Sequence, residues 1–169
     1  MNRSIFILFF VFTQVCLGQN PAGFNQMVKS YLQGTVPLAT VEQLKLDISQ
    51  GKEIIILDAR EMKEYNVSHI KNALFVGYDH FKASSISDIS YEIPIYVYCS
   101  VGYRSEKVGE KLIEAGYQNV HNLFGGIFNW VNSGNAVVNM NGEPTRKVHG
   151  YNKEWAKWLN IDKSKIVLK

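Results

Sequence analysis

Two patterns of apolar residues alternate along this chain. Apolar runs, rich in β-branched and aromatic residues and typical of buried strands, occupy residues 53–57, 73–76 and 94–98, and residues 120–123 form a further predicted strand. Helical patterns occupy residues 24–32, 41–48, 61–66, 106–114 and 126–131. Because strands alternate with helices, the sequence predicts an α/β fold with a mostly parallel central sheet flanked by helices.

The junction between the strand at residues 94–98 and the following helix carries the clearest candidate chemistry. Its turn contains Cys99, Ser100, Val101, Gly102, Tyr103, Arg104 and Ser105. Backbone N–H groups of such a turn favour negative charge, and Arg104 adds a positive charge beside them. We therefore expect Cys99 to act as a nucleophilic thiolate, the alternative being a small buried residue at a strand end. Asp58 also ends a strand, and sites in parallel sheets gather at that edge.

The N-terminal segment, residues 1–18, has the pattern of a secretory signal peptide. Arg3 precedes an apolar run at residues 5–12, and small Gly18 stands at the predicted cleavage point. The run is shorter than the roughly 20 residues that a membrane-spanning helix needs. We therefore expect an exported protein without a membrane span, periplasmic if its source is bacterial.

Only two cysteines occur in the chain, and Cys16 lies in the predicted signal peptide. Cleavage after Gly18 would leave Cys99 without an internal disulfide partner, and a free thiol in an exported protein suggests reactivity. Lipid attachment at Cys16 is the lesser alternative, because residues 13–15 lack the small residue expected just before a lipidated cysteine.

The charge balance of the chain gives no reason to expect a nucleic-acid partner. The chain has 169 residues and a formal net charge of +3, which falls to +2 without Arg3. A nearly neutral chain with no cluster of basic residues does not predict nucleic-acid binding. Its four histidines, at positions 69, 80, 121 and 149, show no metal-ligand spacing. We therefore expect neither a metal nor another cofactor.

Three motifs, in order along the chain, carry a family resemblance. They are residues 57–60 with Glu64, Tyr65 and residues 69–73; the turn at residues 99–105; and residues 123–127 with Trp130. Together they resemble the rhodanese-like sulfurtransferases, over roughly residues 40–134. Ser68 and Asn72 depart from that family, which usually has glycine at both positions. These departures bear on a turn rather than on the cysteine loop.

The resemblance implies a three-layer fold and a reaction. Cys99 would take a sulfane sulfur from thiosulfate or a persulfide and pass it to a thiol, another nucleophile or a protein acceptor. The loop from Cys99 to Arg104 has the sulfurtransferase length, one residue shorter than in related phosphatases and arsenate reductases. With Arg104 as its only cation, the loop favours a persulfide or protein donor. A non-catalytic binding module in the cell envelope is the alternative function.

The resemblance also places Asp58 and Arg60 near the loop, where they would orient it or contact substrate. A structural alternative for Arg60 is an ion pair with Glu64, four residues later on a short helix. Gly102 is expected to adopt a positive φ that turns the loop amides inward.

Around the domain we expect a helical extension at residues 19–39 and a C-terminal extension at residues 135–169 that packs on it. In the latter, Trp155, Trp158 and Leu159 form an apolar stripe on a predicted short helix. A partner surface is the alternative role for these tryptophans.

Overall fold

A parallel sheet forms the centre of the molecule, in a computed structural model that describes residues 19–168. The predicted signal peptide and Cys16 therefore lie outside the described residues. The five strands are Leu38–Ala39 (β1), Ile55–Asp58 (β2), Leu74–Phe75 (β3), Ile95–Tyr98 (β4) and Val120–Leu123 (β5). They lie in the order β1-β5-β4-β2-β3, and every neighbouring pair is parallel. The predicted parallel sheet is confirmed.

Within residues 19–168, six α-helices connect and flank these strands. They are Phe24–Tyr31 (α1), Val41–Ser49 (α2), Met62–Val67 (α3), Tyr103–Glu114 (α4), Gly126–Asn132 (α5) and Lys153–Ala156 (α6). Thr40 caps α2, its hydroxyl accepting a hydrogen bond from the Gln43 amide at 3.1 Å. Asn72 adopts a φ of 66°, the left-handed conformation that asparagine tolerates better than most residues.

Side chains of β4 alternate between two apolar clusters, one on each face of the sheet. Ile95 and Val97 pack with α4, whereas Tyr96 and Tyr98 pack with α2 and α5. The sheet is thus covered on both faces, which explains why its strands read as continuous apolar runs. The predicted three-layer α/β fold is confirmed.

Both flanking segments contact this core. β1, which the apolar pattern does not predict, pairs with β5 and forms one edge of the sheet. Trp158 contacts Phe24 of α1 with ring centroids 6.2 Å apart, and Leu159 is buried in the same apolar cluster. The predicted C-terminal helix is shorter than expected, because α6 ends before both residues.

Four further short strands lie in the C-terminal segment. Val137–Val138 (β6) pairs antiparallel with Pro144–Thr145 (β7), and Val148–His149 (β8) pairs parallel with Ile166–Val167 (β9).

Within residues 19–168, no helix has both the length and the apolarity that crossing a membrane requires.

Candidate active site

Cys99 follows β4 directly and begins the turn into α4. Its Sγ accepts a hydrogen bond from the Gly102 amide at 3.1 Å. Gly102 has a φ of 127°, in the positive region that glycine alone adopts readily, as the sequence predicts. A Cβ at this position would also lie 3.1 Å from Leu32 Cδ2. The loop therefore requires glycine here in order to aim an amide at the sulfur.

The N-terminus of α5 holds the loop through its backbone. The Ile127 and Phe128 amides donate to the carbonyls of Cys99 and Ser100 at 2.9 and 3.1 Å. A Cβ on Gly126 would lie only 2.3 Å from the Cys99 carbonyl oxygen. Gly126 of the third motif is thus explained by close backbone approach, whereas a Cβ on Gly125 would meet the side chains of Asn129 and Phe24 at 2.6 and 2.9 Å.

A neighbouring strand holds the start of α4. Asn122 of β5 donates to the Gly102 carbonyl at 3.0 Å, and the Ser105 hydroxyl lies 2.7 Å from Asn122 Oδ1. Asn122 and Ser105 are both buried. Asn122 was not among the predicted site residues, and the signal for it in the sequence is an amide side chain within the predicted strand at residues 120–123.

Arg104 of α4 forms a two-point ion pair with Glu64 of α3. Its Nη1 and Nη2 atoms lie 2.7 and 2.9 Å from the two carboxylate oxygens, and the Ser100 hydroxyl donates to the same carboxylate at 3.0 Å. Burial raises the pKa of Glu64, but the hydrogen bonds and charge of Arg104 outweigh it, so the pKa lies below its ordinary value. Arg104 therefore ties the loop to α3.

Arg60 pairs with Asp58 rather than with Glu64, so the expected i,i+4 ion pair is wrong. Nη2 of Arg60 lies 2.6 Å from Asp58 Oδ2, and both side chains are completely buried. Tyr98, which precedes Cys99, donates to the same carboxylate at 2.6 Å. The helix explains the error: α3 begins at Met62 and leaves Arg60 outside it.

A cleft of about 910 Å³ opens above the loop. Of the predicted site residues, those lining it are Cys99, Ser100, Val101, Tyr103 and Arg104. The other four, Asp58, Arg60, Gly102 and Ser105, support the loop from behind it. Because Asp58 and Arg60 are 0% exposed, the alternative in which they contact substrate is wrong.

Residues 40–133 match the family model of the rhodanese-like domain. The chain belongs to this family. It is 32% identical over 88 residues to a thiosulfate sulfurtransferase GlpE of Coxiella burnetii, which covers 50% of this chain and 78% of that protein. It is 29% identical over 122 residues to a tRNA uridine(34) hydroxylase of Pectobacterium carotovorum, covering 69% of this chain and 31% of that protein.

A solved structure agrees with the fold. A rhodanese-like domain from Anabaena sp. superposes with a TM-score of 0.57 at 26% identity, over 62% of this chain and 80% of that one.

The rhodanese-like domain supplies the floor of the cleft, and residues outside the family match complete its walls. Tyr31 comes from α1, whereas Tyr151 and Trp155 come from the C-terminal segment. The sequence does not predict that these side chains line the cleft, because their positions depend on how distant segments pack. The floor of the cleft therefore comes from the part of the chain that matches the family, whereas these three aromatic side chains come from outside that match.

Proposed function

We propose that this protein is a sulfurtransferase in which Cys99 carries a sulfane sulfur as a persulfide. One observation carries the proposal: Cys99, although only 2% exposed, is among the residues that line the cleft, and its Sγ accepts a hydrogen bond from the Gly102 amide at 3.1 Å. An amide aimed at sulfur stabilises a thiolate and, after reaction, the anionic persulfide. Similarity to a thiosulfate sulfurtransferase supports the same reaction class.

In the first step, the Cys99 thiolate attacks the outer sulfur of the donor. A new S–S bond forms to Cys99, and the bond inside the donor breaks with its electron pair leaving on the departing group. With thiosulfate that group is sulfite, and with an organic persulfide it is a thiolate. Charge is conserved, and no oxidant or reductant is consumed.

In the second step, an acceptor thiolate attacks the outer sulfur of the Cys99 persulfide. The S–S bond at Cys99 breaks, the Cys99 thiolate is restored, and the acceptor leaves as a persulfide. A fixed donor aimed at the developing charge, here the Gly102 amide, lowers the barrier for both steps. The backbone bonds from α5 and the pair between Arg104 and Glu64 hold the loop that carries this donor.

Arg104 is a positioning residue in this scheme. Both of its terminal nitrogens are bound to Glu64, and its side chain is only 14% exposed. A two-point guanidinium–carboxylate contact fixes orientation in a way that a lysine cannot reproduce.

Intact mass spectrometry tests the proposal directly. Protein incubated with thiosulfate, an organic thiosulfonate or an organic persulfide should gain one sulfur atom, which a thiol reductant then removes. Cys99→Ser serves as the matched control and should gain nothing. If no donor adds sulfur to folded wild-type protein, the sulfurtransferase proposal fails and the binding-module alternative takes its place.

We also propose that the protein acts after export, on the basis of the apolar segment at residues 5–12 and the small residue Gly18. Expression of the full chain in a bacterium should yield periplasmic protein with residues 1–18 removed. Full-length protein retained in the cytoplasm would contradict this.

A further inference from the structure

Three aromatic side chains from outside the rhodanese-like domain line the cleft above Cys99: Tyr31, Tyr151 and Trp155, here called the aromatic wall. Tyr31 and Trp155 contact each other, with ring centroids 5.1 Å apart. The ring of Tyr151 lies over the Arg104 guanidinium, 5.2 Å from the ring centroid. Tyr151 thus joins the C-terminal segment to the catalytic loop, and the contact between Tyr31 and Trp155 joins the two flanking segments to each other.

The local backbone keeps Tyr151 in place. Its φ is 63°, a left-handed conformation that a bulky residue adopts only where its surroundings enforce it. Its amide donates to Nδ1 of His149 at 3.0 Å, and His149 is almost completely buried. Burial lowers the pKa of His149 and so favours the neutral ring that can accept this bond. The backbone of Tyr151 is thus held, and its ring packs on the Arg104 guanidinium, which together preorganise it for a ligand.

Charge in the cleft does not favour a small dianion. Lys63 and Arg104 are balanced by Glu61 and Asp79, which line the same cleft. Arg104 is moreover paired with Glu64 behind it. A cleft without excess positive charge has no field that concentrates a dianion over a monoanion or a neutral molecule.

The size of the cleft also exceeds what an inorganic donor needs. Its volume of about 910 Å³ lies in the range of clefts that bind drug-sized organic ligands, about 300–1,000 Å³. Such clefts are lined mainly by apolar and aromatic groups, with a few polar groups that fix orientation. Here the aromatic wall and Tyr103 supply the first kind of surface, and the loop supplies the second.

We infer that the aromatic wall makes this site selective for organic sulfane-sulfur donors that carry an aromatic or apolar group. The inference rests on the proposed function, because it names the substrate class of the same cysteine. With an arylthiosulfonate, the Cys99 thiolate attacks the outer sulfur, the S–S bond breaks, and the arylsulfinate leaves with the electron pair. Tyr31, Tyr151 and Trp155 are then specificity-determining residues that bind the aryl group.

Two thiosulfonates of equal charge test this inference. Benzenethiosulfonate and methanethiosulfonate share the reacting group and differ in the organic substituent. Rates of Cys99 persulfide formation give kcat/KM for each, and their ratio measures the preference for an aryl group. In Tyr31→Ala and in Trp155→Leu, this ratio should fall about tenfold from wild type, as expected for loss of an aromatic contact. Comparing ratios between variants removes the intrinsic reactivity difference of the two donors.

Tyr91→Ala is the matched control. Tyr91 is 50% exposed, close to the 46% of Tyr31, and it packs on Tyr117 with centroids 4.8 Å apart, away from the cleft. This variant should keep the wild-type ratio. Thermal melts of all three variants show that each is folded.

The outcomes separate the two proposals. Persulfide formation with both donors, and a ratio that neither Tyr31→Ala nor Trp155→Leu changes, would overturn the aromatic wall and leave the sulfurtransferase standing. Failure of every donor to load wild-type Cys99 would remove the proposed function and this inference with it.

Discussion

Two arginine–carboxylate pairs lie near the same loop at different depths. Arg60 and Asp58 are both 0% exposed, whereas Arg104 is 14% exposed and borders the cleft beside buried Glu64. The first pair joins residues two positions apart in sequence, and the second joins residues forty apart. The same chemistry thus serves two purposes in one domain.

The deeper pair organises the scaffold below Cys99. Arg60 also donates to the Ser68 carbonyl at 2.7 Å, and Asp58 accepts the Tyr98 hydroxyl. The outer pair is bonded to the loop itself, since the Ser100 hydroxyl donates a hydrogen bond to the Glu64 carboxylate. We conclude that the deeper pair chiefly supports the fold, and that the outer pair chiefly positions the loop.

The largest expected effect comes from breaking the deeper pair. Arg60→Met leaves the Asp58 carboxylate buried without its partner and should lower the free energy of unfolding by about 3–5 kcal/mol, measured by urea denaturation. Lys157→Met, which breaks an exposed pair with Glu154, should cost about 1 kcal/mol or less. A double variant, Asp58→Asn with Arg60→Met, should recover part of the loss. Equal losses of unfolding free energy in Arg60→Met and Lys157→Met would contradict the role of the Arg60–Asp58 pair as a buried support of the fold.

A third support of the loop uses no charge, and its loss should come next in size. Gly126→Ala combines a left-handed backbone with a Cβ 2.3 Å from the Cys99 carbonyl oxygen, so it should cost about 3–4 kcal/mol in urea unfolding. Gly142→Ala is the matched control, because its φ is also positive but nothing lies within 4 Å of the new Cβ. That variant should lose only about 1–2 kcal/mol. Similar losses in both variants would show that close approach to the loop is unimportant.

The pairing of these arginines marks the limit of sequence reasoning. Apolar runs predict the central strands, because β4 is covered on both faces, and the turn composition predicts a positive φ at Gly102. The expected bond between Arg60 and Glu64 failed because it assumed that Arg60 belongs to the helix. Glu61 instead precedes α3, so Glu64 turns towards the loop and Arg60 turns towards β2.

Long-range packing accounts for the other omissions. β1 has only two residues, too few to show a period, and only its pairing with β5 defines it. Tyr31 and Trp155 are more than a hundred residues apart, and no local pattern predicts that their rings meet and line the same cleft as Cys99. Spacing therefore predicts the floor of the site, whereas the tertiary structure alone reveals its walls.

A smaller effect is expected from the carboxylate of the outer pair. Glu64→Gln weakens charged hydrogen bonds to Arg104 and should cost about 2 kcal/mol at neutral pH. Because the pKa of Glu64 is lowered on folding, its contribution is complete above the ordinary value of 4.5 and is lost as the pH falls through the lower folded-state value. Unfolding measured from pH 6 downward, in steps of about half a unit, should therefore show a shallower loss of stability in the variant than in wild type.

Glu154→Gln is the control for this pH series. Its side chain is 84% exposed, so the variant should follow the wild-type curve. Identical slopes in wild type and Glu64→Gln would show that the outer pair is not coupled to folding, and the distinction between the two pairs would then rest on depth alone.

The smallest expected effect keeps the charge of the outer pair and removes only its shape. Arg104→Lys retains a cation beside Glu64 but replaces a two-point contact with a single ammonium group, so the free energy of unfolding should fall by about 1 kcal/mol. Persulfide formation at Cys99 should slow further than this loss of stability explains, because the loop would then be held at one point. Arg146→Lys, in an exposed loop, should change neither quantity. A lysine variant with wild-type stability and wild-type rate would mean that charge alone positions the loop, and the geometry of the Arg104 contact would lose its assigned role.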